Sequence, residues 1–108
     1  MNRVSAIAMV SLLLATPASA QALGSVHCKA SLREIDISVG AAQRKSESVQ
    51  TKGLTEKCSA MRVEHEMLKQ QSVILGRCTT GDERDAKTRI ADTSAADLQE
   101  KISEGCGG

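Results

Sequence analysis

Apolar and small residues recur at steps of three and four along most of the chain, which is the period of an amphipathic helix. From Leu54 to Cys78 one seam runs through Leu54, Cys58, Met61, His65, Leu68, Ser72 and Leu75. A second set, Val63, Met67, Ile74 and Cys78, falls on another side of the same cylinder. Two seams predict a middle helix that touches two neighbours. Upstream, from Ser25 to Gln50, Cys28, Leu32, Ile35, Val39, Ala42, Ser46 and Val49 keep the same rhythm. A strand pattern competes locally, since Val26, Cys28, Ala30 and Leu32 alternate and so do Ile35, Ile37 and Val39. Those two runs are out of phase with each other, whereas a helix keeps one register throughout. Ser31 and Glu34 have the spacing of a capping box, which would start this helix late and leave Cys28 in a preceding turn. Downstream, Ala86, Ile90, Ala91, Ala95, Leu98, Ile102 and Cys106 define a third seam.

The breaks have their own chemistry. Thr51-Lys52-Gly53 separates the first two helices, with Gly53 free to take a left-handed conformation. Thr79-Thr80-Gly81 precedes Asp82 and Glu83, turn residues followed by acidic residues suited to a first helical turn. A fresh start at Asp92-Thr93-Ser94 would divide the third helix into two pieces, and Gly105, Gly107 and Gly108 end it. The expected fold is an all-α antiparallel bundle of three helices, or four segments, running up, down and up.

Residues 1–20 are different. Arg3, an apolar run from Ala6 to Ala15, Thr16-Pro17 and then Ala18-Ser19-Ala20 have the layout of a cleavable secretory signal, and the run is too short for a stable span. The resulting expectation is a signal peptide over 1–20, a single helical domain over 21–108, and export to a bacterial periplasm or beyond, with no membrane attachment after cleavage.

Without Arg3 the basic and acidic residues balance, so neither nucleic acid nor an anionic membrane is an expected partner. The chain contains no Phe, Tyr or Trp. Stacking platforms for bases and the usual aromatic interface anchors are therefore missing. Leu, Ile and Val are also sparse beyond residue 20, so the core calls for cross-links. Four cysteines behind an export signal fit a disulfide framework.

The pairing follows from the helical rise. In a hairpin turning at Gly53, Cys28 and Cys78 lie equally far from the turn and face each other. Cys58 and Cys106 do the same about Asp82. Cys58 and Cys78 sit near opposite ends of one helix, roughly 30 Å apart at 1.5 Å per residue, and cannot bond each other. The predicted bridges are Cys28 with Cys78 and Cys58 with Cys106, each closing a loop of about 50 residues and contributing roughly 4 kcal/mol.

Catalytic signatures are not present in this pattern. The cysteines are too widely spaced for a Cys-x-x-Cys redox pair or a zinc site. Glu64, His65 and Glu66 resemble part of a metal-binding helix, but Lys69 stands where the second histidine would be. His65 is expected to be a half-buried structural residue, and no enzyme activity, cofactor or metal is expected. The expected function is protein–protein interaction, as an accessory or structural subunit binding another protein. Ile37, Val63, Met67 and Val73 are the candidate patch for that partner. A secreted inhibitor or effector would share the same features, and a carrier of a small ligand or metal is the third class.

Overall fold

The computed structural model describes residues 27–107, and the predicted signal segment 1–20 lies outside them. Among the described residues there are three helices: α1 over 27–48, α2 over Leu54–Cys78 and α3 over Gly81–Cys106. They form the up-down-up bundle that the three seams predict.

Helix α1 is already formed at residues 27–30, so Cys28 lies within it, and Ser31 is an interior residue rather than a cap. The apolar register reaching back to Cys28, together with the bridge made there, carries the helix past the Ser31 signal. After 48 the chain turns through residues 49–53, with the Lys52 N–H donating to the Val49 carbonyl at 2.9 Å. Gly53 does not take the left-handed conformation expected of it. It is extended, with φ −67° and ψ 166°, and is the N-cap of α2. Its N–H donates to Glu56 Oε2 at 2.8 Å, half of a capping box, since glycine has no side chain to supply the other half. The left-handed glycines are Gly81 (φ 61°), which opens α3, and Gly107 (φ 78°), which caps its end.

Only Thr79 and Thr80 separate α2 from α3. Thr79 is buried and extended. Both its N–H and its Oγ1 donate to the Leu75 carbonyl, at 3.0 and 2.6 Å, which satisfies one of the terminal carbonyls of α2 twice over. Helix α3 is continuous and does not restart near Ser94. Ala91 and Ala95, buried on either side of that triplet, hold one register through it, while Asp92 and Thr93 simply face solvent.

All three helices contribute to one core of Ile35, Val39, Leu68, Ala95, Leu98 and Ile102, and Ile102 is 2% exposed. Met61, Met67, Ile74 and Cys106 pack against it half-buried. Buried Ala42, Ala60, Ala91 and Ala95 let the helix backbones approach, so a core without aromatic rings has less volume to fill.

The bridges are Cys28–Cys78 and Cys58–Cys106, with Cα separations of 5.2 and 5.9 Å. One joins α1 to the end of α2, and the other joins the beginning of α2 to the end of α3. Helix α2 is thus tied at each extremity to a different neighbour. Arg62 Nη2 adds a hydrogen bond to the Cys106 carbonyl at 3.3 Å, a cation at the carbonyl end of α3. The ion pairs Lys69–Glu66, Arg84–Asp85 and Lys87–Glu83 are exposed and contribute little.

Four seam residues, Leu54, Val63, Ala86 and Ile90, are exposed where the periodicity places them inside. Ile90 is 67% exposed because it lies about 100° around α3 from Ala91, and the buried row follows Ala91, Ala95, Leu98 and Ile102. Leu54 is 63% exposed because it is the first residue of α2, beyond the last layer that α1 covers.

Candidate functional site

The four cysteines are all bridged. Cys58 is buried and the other three are half-buried, so the set works as a frame. The two histidines are far apart. His27 adjoins Cys28 and hence the far end of α2, from which His65 is about 20 Å of helix away. His27 is exposed and His65 half-buried. Among the described residues no group of three His, Cys, Asp or Glu side chains gathers where a metal could sit.

The candidate partner-binding residues do not form one patch. Ile37 is 62% exposed, and its neighbours two positions away, Ile35 and Val39, are both buried. At 100° per residue this puts Ile37 on the side of α1 opposite the core. Val73 is exposed on α2 but lies about 80° around the helix, and about 15 Å along it, from Val63. Val63 and Met67 are one turn apart and share an edge of α2 with Ile74, and of these three only Val63 is largely exposed, at 54%.

At Val63 that edge borders an apolar groove of about 280 Å³ between α1 and α2 at the Gly53 end. Ala42 and Lys45 of α1, with Val49 in the turn that follows, form one wall, while Thr55, Glu56, Ser59, Ala60 and Val63 form the α2 wall. Ala42, Val49 and Ala60 are buried in its floor, and Val63 stands at the rim. The groove exists because the residues facing each other here are small. Ala42, Ser59 and Ala60 leave a trench where leucines would have closed the interface. Of the residues singled out by periodicity as a patch, only Val63 belongs to it. The signal that could have found the rest was this run of small residues on both sides of the Gly53 corner.

A second hollow, of about 330 Å³, lies toward the other end, between Leu32 and Asp36 of α1, Gln71 and Leu75 of α2, and Lys87, Ile90 and Ala91 of α3. Its mouth is crossed by a hydrogen bond from Gln71 Nε2 to Asp36 Oδ1 at 3.2 Å, and polar groups make up much of its wall. Comparison with family models, with curated proteins and with solved structures finds no match for this chain.

Proposed function

We propose that this is a small exported bacterial protein that acts by binding another protein, as an accessory or structural subunit, through the α1–α2 groove. The observation that carries this reading is the groove itself: an apolar floor of Ala42, Val49 and Ala60 beside a valine that remains more than half exposed. An apolar concavity with a few polar groups at its rim is the usual form of a recognition site. The bridges support the reading energetically. The α2 wall belongs to a helix bridged at both ends, and α1 is bridged to it at Cys28, so little conformational entropy is lost on the α2 side when a partner seats there.

Two disulfides, and the lack among the described residues of any helix long and apolar enough to cross a membrane, are compatible with an oxidising compartment. The signal-like segment 1–20 is the reason for placing the protein in the periplasm or outside the cell.

The test is site-specific photo-crosslinking in cells of the source organism. A benzophenone amino acid at Ser59, on the groove wall, is expected to give one discrete protein adduct. The same group at Thr93, exposed on α3, is expected to give none. Equal adduct patterns from the two positions, or no adduct at Ser59, would remove the proposal.

A further inference from the structure

The two bridges differ in how readily a thiolate can open them. In thiol–disulfide exchange one sulfur is attacked while the other departs as a thiolate, and a departing thiol of raised pKa leaves slowly. Cys58 is only 6% exposed. Attack at its sulfur is obstructed, and attack at Cys106 expels the Cys58 sulfur as an anion into apolar surroundings that disfavour it. Cys28 and Cys78 are both half-buried, so neither side of that bridge is shut away from water.

The bridges also differ in what they hold. Apart from the chain through residues 49–53, Cys28–Cys78 is the covalent tie between α1 and the other two helices. Among the described residues no ion pair joins α1 to another helix, and its side-chain link to one is the exposed hydrogen bond from Gln71 Nε2 to Asp36 Oδ1. Helix α1 gives Ile35 and Val39 to the central core, whereas Leu68, Ala95, Leu98 and Ile102 lie on α2 and α3. Docking α1 also buries the Ser46 hydroxyl without a partner, which is unfavourable. Helices α2 and α3 are joined at both ends, by Thr79-Thr80 and by Cys58–Cys106.

We infer that Cys28–Cys78 is a redox-sensitive latch: a dithiol reductant opens it before Cys58–Cys106, and α1 then comes away from a hairpin of α2 and α3 that stays stapled. One thiolate of the reductant forms a mixed disulfide with Cys28 or Cys78 and expels the other as a thiolate. The second reductant thiol then attacks that mixed disulfide. Two electrons pass to the bridge, the two thiol protons end on Cys28 and Cys78, and the reductant leaves as its own disulfide. Because α1 supplies one wall of the groove at the Gly53 end, opening the latch dismantles that site. This consequence rests on the protein-binding reading above; the latch itself does not.

The test treats the full bridged protein with dithiothreitol without denaturant, quenches samples with iodoacetamide and maps them by mass spectrometry. The expected intermediate carries alkylated Cys28 and Cys78 with Cys58 still joined to Cys106, and forms roughly tenfold faster than the fully alkylated chain. Hydrogen exchange of that intermediate should show the amides of 27–48 losing protection while those of α2 and α3 keep theirs. The variant with Cys28→Ala and Cys78→Ala, which needs no alkylation, should give the same exchange pattern. Equal opening of the two bridges, or earlier opening of Cys58–Cys106, would refute the latch. Protection retained over 27–48, or lost evenly from all three helices, would refute the release of α1. A Ser59 photo-adduct that persists in the double variant would overturn the link to the groove while leaving the latch in place.

Discussion

Removing either bridge provides the most quantitative check on how this fold is held. The double variants are Cys28→Ala with Cys78→Ala and Cys58→Ala with Cys106→Ala. Alanine is preferred to serine because Cys58 is buried, and a hydroxyl there would add a cost unrelated to the cross-link. The bridged residues are separated by 50 and 48 positions. Loop-closure entropy then gives about 4 kcal/mol for each, with a difference between them of less than about 0.1 kcal/mol. A small domain has only about 5–15 kcal/mol in all, so each variant should be marginal and the variant lacking all four cysteines unfolded. A non-reducing tryptic map first establishes the pairing, with CSAMR joined to ISEGCGG and the peptide ending in VHCK joined to CTTGDER. Urea unfolding followed by circular dichroism is the assay. At a slope of roughly 1 kcal/mol per M, each loss moves the midpoint down by about 4 M. Losses below about 1 kcal/mol in both variants would refute the stapling argument. A large loss in one and a negligible loss in the other would refute its entropic basis, since the two loops are nearly equal.

Two further changes test local features. Ser46 is buried and its Oγ has no hydrogen-bond partner, so Ser46→Ala should stabilise the protein by about 1–2 kcal/mol, combining the relieved desolvation with better helix propensity. In a thermal melt that is a rise of at least about 4 °C, and a fall would mean that the hydroxyl has a partner in solution. Gly76 and Gly81 form a contrasting pair. A Cβ at either would meet nothing within 4 Å, but Gly76 is helical whereas Gly81 has φ 61°. Gly76→Ala should gain about 0.5–1 kcal/mol and Gly81→Ala should lose about 1 kcal/mol, and the same melts would refute the backbone argument if the signs agreed.

The parts of this fold that depend on one-dimensional distance were legible in the sequence. Cys58 and Cys78 near the ends of one helical run leave a single pairing compatible with the helical rise, and that pairing is present. The α1 seam was equally plain, since Ile35, Val39, Ala42, Ser46 and Val49 are all buried. What failed depended on competition between neighbours. Asp92-Thr93-Ser94 reads locally as a cap, but the layers of Ala91 and Ala95 outweigh it. Gly53 reads as a left-handed break, but the Glu56 carboxylate caps its N–H in an extended conformation, and the left-handed glycine at a helix boundary is Gly81 instead. The groove was the least legible of all. It arises from what Ala42, Ser59 and Ala60 lack, and the hydrophobic pattern marks side chains that are present rather than volume left empty.

The double tethering of α2 also decides how the molecule would bear tension. A pull applied at Cys28 and Cys106 has a short covalent route: across one bridge to Cys78, back along α2 to Cys58, and across the other bridge. Helices α1 and α3 are slack loops beside that route. Even fully drawn out, α2 supplies only about 20 residues between its cysteines, an extension of roughly 70 Å, where the unbridged chain would pay out several times as much. Under load the protein would behave as a short tether whose compliance resides in a single helix.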